Sequence, residues 1–256
     1  MSAGALIPQL LERIGVKALS GATPWLADVV ASLAAGGSPT GAAAVFASMA
    51  RRLGRSPLPA GPPLATDDDI VSTDTWSVDE AGRVALLLAI AAGSPDRVEE
   101  IVNLVYSDGD TREKMAVVRA LPLLPAGDRW IELALDAGRT NELPLFAALA
   151  CENPYPARHY PELEFNKLVM KAVFVGVDVG RIVGLPRRAN PELSRMAVEY
   201  IEQQLSANRT FPPDLWLAIA RYPPAGAIRT ISEQEVTRAV AAARLTLEQE
   251  PRPGAR

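Results

Sequence analysis

The chain has 256 residues, of which 48% are apolar, 22% charged and 5% aromatic, and its formal net charge is −4. This length suits one large domain or two smaller ones, and the composition is that of an ordinary globular protein. The mildly acidic charge gives no electrostatic reason to expect nucleic acid as a partner. The single cysteine excludes an intramolecular disulfide and a zinc site built from cysteines.

The N-terminus lacks the features of a secretory signal, because Glu12, Arg13 and Lys17 interrupt the apolar stretch that such a signal needs. The longest apolar runs, 84–92 and 168–177, are shorter than the roughly 20 residues that cross a bilayer. We therefore expect a cytoplasmic protein without a transmembrane segment. The amphipathic helix expected at 5–19 keeps peripheral contact with a membrane open.

Helix-capping signals occur along the whole chain. Four pairs place a capping side chain directly before a proline that would begin a helix: Thr23-Pro24, Ser38-Pro39, Ser94-Pro95 and Asn190-Pro191. Capping boxes pair Ser77 with Glu80 and Asp110 with Glu113. The predicted helices cover residues 4–19, 24–35, 39–53, 77–92, 95–107, 111–121, 128–138, 142–150, 161–175, 191–206, 213–221 and 232–248.

No segment alternates between apolar and polar residues for long enough to require a strand, so the sequence predicts an all-α protein. Between residues 77 and 141 the predicted helices start at similar intervals. Two successive intervals together span roughly 34 residues, the size of one helical hairpin in an α-solenoid. We predict irregular stacked helical hairpins of this HEAT-like kind, with a compact helical bundle as the alternative.

One break interrupts the helical pattern, at residues 54–75, which are rich in proline and carry the acidic run Asp67–Asp69. We predict that this stretch is a linker or mobile loop. It would separate an N-terminal helical segment, 1–53, from a main helical body, 76–250, with a disordered tail at 251–256.

Residues 151–196 hold the only cysteine, the only histidine and an unusual density of Asn, Pro, Tyr and Arg. Pro154 and Pro156 are predicted to prevent helix between them. On the helix that follows, we expect a core stripe formed by Leu163, Met170, Val173 and Phe174. Asn166, inside this helix, needs a hydrogen-bond partner if it is buried.

Arginines cluster in the same region, at 181, 187, 188 and 195. Their guanidinium forks match carboxylate or phosphate groups, so they would bind an anionic partner. Alternatively they pair with Glu152, Glu162, Glu192 or Glu199 and lock the helices together.

Two residues offer acid–base chemistry for an enzyme. His159 and Glu162 are the candidates for acid–base catalysis, and Cys151 with His159 would form a nucleophile–base pair unless Cys151 is an inert core residue. No second histidine completes a metal site with His159 and Glu162, so we expect no metal. No phosphate-binding loop or other cofactor motif occurs, so we expect no cofactor.

Four stretches between residues 152 and 196 resemble a known family signature: Glu152-Asn153-Pro154-Tyr155-Pro156-Ala157-Arg158; Pro161-Glu162 with Phe165-Asn166 and Val169-Met170-Lys171-Ala172; Arg181-Ile182-Val183-Gly184-Leu185; and Asn190-Pro191-Glu192-Leu193 with Arg195-Met196. They are similar to the signature of the EboA family. The resemblance supplies no catalytic residue. It implies binding roles for Asn153, Tyr155, Arg158, Asn166, Lys171, Arg181 and Asn190, and the chemistry of arginine adds Arg188. Glu162 also belongs to the signature and stays a candidate for catalysis.

The resemblance also implies a cellular context. EboA proteins are encoded beside a prenyltransferase and a sugar-phosphate-cyclase-like enzyme, in clusters linked to the biosynthesis or export of secondary metabolites. The implied role is a non-catalytic accessory protein that presents residues 151–196 to one of these enzymes or to an anionic small molecule. The alternative is an enzyme that acts on a phosphorylated cyclitol- or prenyl-linked intermediate by acid–base chemistry.

Overall fold

A computed structural model describes residues 3–36, 38–225, 228 and 231–248, and the predicted disordered tail at 251–256 lies outside these residues. The described residues are mostly α-helical, which confirms the all-α prediction. The α-helices are α1 (Ala3–Lys17), α2 (Ala22–Ala34), α3 (Pro39–Leu53), α4 (Val78–Gly93), α5 (Pro95–Asp108), α6 (Thr111–Ala120), α7 (Ile131–Arg139), α8 (Leu143–Ala150), α9 (Tyr155–His159), α10 (Glu162–Val175), α11 (Leu185–Arg188), α12 (Pro191–Ser206), α13 (Trp216–Ile219) and α14 (Glu233–Glu248).

Short 3-10 helices precede or follow several of these helices: Leu121–Leu123, Gly127–Trp130, Val179–Arg181 and Pro213–Leu215. The described strands, β1 (Leu64–Ala65) and β2 (Ile70–Val71), form one antiparallel pair in which Leu64 lies opposite Val71. The chain divides into a first unit, Met1–Tyr155, and a second unit, Pro156–Arg256. The sequence instead predicted a linker at 54–75 between two parts of the chain, and that domain organisation stays a prediction.

Helix α4 lies at the centre of the first unit. Helices α1, α2, α3, α5 and α6 all pack against it, and every residue from Val78 to Ala91 is buried. A helix with apolar residues on all its faces is buried on all of them, and 84–92 is such a run. Helix α8 packs against α6, so α4, α6 and α8 follow one another as in stacked hairpins, whereas α1–α3 gather around α4 as in a bundle.

Residues 54–75 carry the two-stranded sheet and are attached to α1. Leu58, Leu64 and Val71 are buried, and Arg13 donates hydrogen bonds to the carbonyl oxygens of Pro59 and of Pro62. Burial lowers the pKa of Arg13. A proline-rich stretch without helical periodicity can therefore still supply core residues to a helical unit.

Predicted capping residues lie directly before five of the described α-helices, α3, α4, α5, α6 and α12. Ser38 accepts a hydrogen bond from the Gly41 N–H at 3.0 Å, and Asp110 accepts one from the Glu113 N–H at 2.9 Å. The cap predicted at Thr23 is wrong, because α2 begins earlier, at Ala22.

In the second unit, α10 packs against α11 and α12, and α13 packs against α11, α12 and α14. The core face of α10 is formed by Phe165, Leu168, Val169, Ala172 and Val173. Of the predicted core stripe, Met170 and Val173 are buried, but the prediction was wrong for Leu163 and Phe174, which are 56% and 66% exposed. The helix is rotated so that the i, i+4, i+7 series from Phe165 faces inward.

The prediction of no helix across the two prolines was also wrong, because α9 contains Pro156. Pro156 directly follows the first helical residue, where a missing N–H breaks no helical hydrogen bond. Helix α11 was not predicted either. It follows Gly184, whose φ of 75° favours glycine and whose added Cβ would lie 2.8 Å from Cβ of Ala157.

Candidate functional site

The predicted site, residues 151–196, begins in the first unit and continues in the second. Cys151, Asn153 and Tyr155 belong to the first unit, and the remaining candidate residues belong to the second. Cys151 is buried after the end of α8, and His159 is half-buried at the end of α9.

Asn153 and Tyr155 are buried and support the backbone of the first unit. The Asn153 amide donates to the carbonyl oxygens of Val118 and Ala148 at 2.9 and 3.3 Å, and its oxygen accepts from the Tyr155 N–H at 3.0 Å. The Tyr155 hydroxyl donates to the Gly127 carbonyl oxygen at 2.6 Å, and burial raises the pKa of this phenol. These side chains, 3% and 0% exposed, fix the chain where α8 ends.

Asn166 and Asn190 form a reciprocal amide pair in the second unit. Nδ2 of Asn190 donates to Oδ1 of Asn166 at 2.9 Å, and Nδ2 of Asn166 donates back to Oδ1 of Asn190 at 3.2 Å. Oδ1 of Asn190 also caps α12 by accepting from the Leu193 N–H at 2.9 Å. The two asparagines are 1% and 7% exposed, so the pair joins α10 to the start of α12 from the inside.

Arg188 binds backbone carbonyls. Its Nη1 and Nη2 donate to the carbonyl oxygens of Ala157 and Tyr160 at 2.6 and 2.7 Å, and its guanidinium carbon lies 4.7 Å from the centre of the Phe165 ring. Burial lowers the pKa of Arg188, and the charge on Glu162 acts in the opposite direction. Arg188 therefore ties α9 and α11 to α10.

Arg195 pairs with glutamates, which is the second of the two roles that the sequence suggested for the arginines. Its guanidinium binds Glu192, with a closest distance of 2.6 Å, and also binds Glu199, all within α12. The group is 54% exposed, so these ion pairs stabilise the fold little.

The remaining predicted residues lie nearer the surface. Arg158, Glu162 and Arg181 are exposed, and Lys171 is half-buried. Arg158 comes shortly before α10, and Arg181 comes shortly after it. The structure thus places basic side chains on, before and after this one helix.

The outer face of α10, defined here as Leu163, Lys167, Lys171 and Phe174, combines exposed apolar and basic side chains. Their spacing of i, i+4, i+8 and i+11 puts them on one side of the helix. Leu163 and Phe174 are 56% and 66% exposed, and the adjacent Val175 is 41% exposed. Large exposed apolar side chains on one helix face are typical of an interaction surface.

Neighbouring groups hold this face in place. Nζ of Lys167 lies 2.8 Å from Oε1 of Glu164. The Phe174 ring meets the Tyr200 ring of α12 edge-on, with the ring centres 5.2 Å apart. Burial lowers the pKa of Lys171. The outer face of α10 is therefore partly ordered before any partner binds.

A pair of carboxyl groups, Asp178 and Asp214, lies near the end of α10. Both accept a hydrogen bond from the Gly180 N–H, at 2.8 and 3.0 Å. Burial and the hydrogen bond with Asp178 raise the pKa of Asp214, and the same hydrogen bond lowers the pKa of Asp178. Two adjacent carboxyls with pKa values displaced in opposite directions are expected to share one proton at pH values below the raised pKa.

We expect the free energy of unfolding of Asp214→Asn, measured relative to that of the wild type, to increase as the pH rises from 4 to 7. Because the pKa of Asp214 is higher in the folded than in the unfolded protein, this carboxyl stabilises the wild type. Its contribution is complete at pH values below its pKa in the unfolded protein and is lost as the pH rises through its pKa in the folded protein. The variant's amide donates to Asp178 at every pH. Urea unfolding should show a relative gain of about 1 kcal/mol or less, because Asp178 is exposed. Asp108→Asn, at an exposed site in the first unit, is the control, and parallel pH profiles for wild type and Asp214→Asn would refute the shared proton.

A second group of polar residues, which the sequence analysis did not identify, is buried at the start of α4. Nη1 of Arg83 lies 2.6 Å from Oδ2 of Asp79, and Nη2 of Arg112 lies 3.0 Å from Oδ1 of the same carboxylate. Nε of Arg83 donates to the Phe46 carbonyl oxygen at 3.1 Å. Asp79 and Arg83 are 0% and 2% exposed. Burial favours a higher pKa for Asp79, but hydrogen bonds from Ser77, Arg112 and Arg83 outweigh it and lower the pKa.

Glu80 and Arg119 extend this buried charge network. Oε2 of Glu80 accepts from the Ser77 N–H at 2.8 Å, as predicted for a capping box, and lies 2.6 Å from Nη1 of Arg119. Burial lowers the pKa of Arg119, while the charge on Glu80 opposes this. A cavity of about 10 Å³, the room for one water molecule, lies beside Arg119 and Glu152. The sequence signal was a carboxylate and an arginine at i and i+4 in an otherwise apolar helix.

The described residues contain no group of three or more His, Cys, Asp or Glu side chains arranged to hold a metal ion. None of their helices combines the length and the apolar character needed to cross a membrane.

Comparisons with known proteins point to one family. A family model described as metabolite traffic protein EboA matches residues 7–220 of the chain. This match covers most of both units and includes the outer face of α10 and the buried charge network. A search of curated proteins and a search of solved structures each returned no match.

Proposed function

Because the chain belongs to the EboA family, we propose that it serves metabolite traffic as a non-catalytic accessory protein. In this proposal a partner protein docks on the outer face of α10. The observation that carries the proposal is the exposure of Leu163 and Phe174 on the same side of that helix. Buried asparagines and Arg188 form the support behind this face.

The composition of the face fits a protein partner. Exposed aromatic and leucine side chains supply apolar contact area, and interface binding energy concentrates in a few such residues. Lys167 and Lys171 lie between Leu163 and Phe174, and Arg158 and Arg181 lie before and after the helix. The partner surface that we propose is therefore apolar at its centre and acidic around it.

The resemblance noted above suggests candidates for this partner. They are the prenyltransferase and the sugar-phosphate-cyclase-like enzyme expected from the same gene cluster. The role that we propose is accessory to the biosynthesis or export of a secondary metabolite. An anionic metabolite that binds the arginines instead is the competing ligand, and it would depend on charge more than on Leu163 and Phe174.

We expect the double variant Leu163→Ser/Phe174→Ser to bind the partner enzyme at least tenfold more weakly than the wild type, a loss of about 1.4 kcal/mol. The physical reason is the loss of the apolar contact area at the centre of the interface. Biolayer interferometry with each purified candidate enzyme measures the affinity, and circular dichroism checks that the variant is folded.

Leu143→Ser is the matched control, because Leu143 is a leucine on α8 that is 48% exposed. It should bind within twofold of the wild type. Unchanged binding by the double variant would refute the proposal. Binding that depends on Arg158 and Arg181 alone would indicate the anionic metabolite. Loss of turnover in His159→Ala, with binding intact, would favour the enzyme alternative with His159 and Glu162.

A further inference from the structure

We propose that the second unit contains a binding site for a small amphiphile, a molecule with an apolar body and a carboxylate or phosphate head group. The site is a cavity of about 440 Å³ between α14 and the Pro223-Pro224 turn. It shares no residue with the outer face of α10, so this inference is independent of the proposed docking function.

The wall formed by α14 is apolar over most of its length. Val236, Val240 and Ala241 line it, together with Leu245, which is 60% exposed. Two adjacent rows of residues on α14 face the cavity, each with a spacing of four positions. One row is 236, 240 and 244, and the other is 237, 241 and 245. A cavity of this volume with mostly apolar walls has the dimensions of a small-molecule site.

One charged side chain, Arg244, is among the described residues that line the cavity. Its Nε donates to the Ala220 carbonyl oxygen at 2.8 Å, just after the end of α13. This hydrogen bond fixes the plane of the guanidinium, and among the described residues no partner takes its two terminal nitrogens, which we assign to a ligand. A planar fork of this kind matches a carboxylate or a phosphate.

Charge complementarity selects the occupant. No acidic residue is found among the described lining residues, so an anionic head group at Arg244 meets no opposing carboxylate there. Val236, Val240 and Leu245 would cover the apolar body. The structure therefore favours an amphiphilic anion over a neutral apolar molecule and over a free inorganic anion.

We expect decanoate and decyl phosphate to bind the full chain in isothermal titration calorimetry, with decanol, acetate and inorganic phosphate each at least tenfold weaker. Arg244→Gln should reduce decanoate affinity at least tenfold, because it removes the charge. Arg238→Gln is the matched control, because Arg238 is an exposed arginine on the same helix that is not among the lining residues, and it should bind as the wild type does.

Each other outcome overturns the proposal. Equal binding of decanol and decanoate, or full affinity in Arg244→Gln, would show that the head group is not recognised. No binding of either probe would show that the cavity is not a site. Binding that requires removal of residues 249–256 would assign the cavity to the chain itself. A dimer in sedimentation that Leu245→Ser dissociates would assign it to a second copy.

Discussion

Arg83→Met should reduce the free energy of unfolding by about 3–5 kcal/mol, one of the two largest effects that we expect for a single substitution. Methionine keeps most of the side-chain volume, so packing against Phe46 changes little and the lost charge dominates. Asp79, which is 0% exposed, would keep the hydrogen bond from Arg112 but lose its 2.6 Å ion pair with Arg83. The Phe46 carbonyl would also lose the hydrogen bond from Nε of Arg83.

Urea unfolding followed by far-UV circular dichroism measures this loss. Arg195→Ala is the control, since its ion pairs with Glu192 and Glu199 are exposed, and it should change stability by about 0.5 kcal/mol or less. The double variant Asp79→Asn/Arg83→Met removes both charges and should recover part of the loss. Similar small effects for Arg83→Met and Arg195→Ala would show that the buried charge network does not stabilise α4.

The helices could be predicted because their start signals are local. A capping side chain and the backbone N–H that donates to it lie within three residues of each other, so Ser38, Asp110 and Asn190 each specify a helix start without tertiary information. Tyr155–His159 and Leu185–Arg188 were missed because each is about one turn long and depends on contacts distant in sequence. One such contact joins Arg188 to the Ala157 carbonyl.

The candidate site could be predicted only in part. The sequence placed candidate residues on α10 but wrongly turned Leu163 and Phe174 toward the core, because both Leu163 and Phe165 fit a helical stripe and only packing decides between them. The buried charge network was missed for a related reason. Asp79 and Arg83 look like an exposed i, i+4 pair, and only the helices packed around α4 bury them.

The second large effect concerns Asn190, a residue to which the resemblance assigned a binding role. We expect Asn190→Ala to reduce the free energy of unfolding by about 2–4 kcal/mol. Loss of the α12 cap accounts for about 1 kcal/mol, and the remainder comes from leaving the buried Asn166 amide without its partner. Urea unfolding measures the total.

Asn190→Ser separates these contributions, because serine retains the cap but is too short to reach Asn166. It should lose about 1–3 kcal/mol, as expected for an unpaired buried amide. A double-mutant cycle of Asn166→Ala with Asn190→Ala should then show a coupling energy of about 0.5–3 kcal/mol. A folded, fully stable Asn190→Ala that no longer binds a partner would contradict this expectation and make Asn190 a contact residue. The expected result instead makes the amide pair the internal support that holds the outer face of α10 in place for docking.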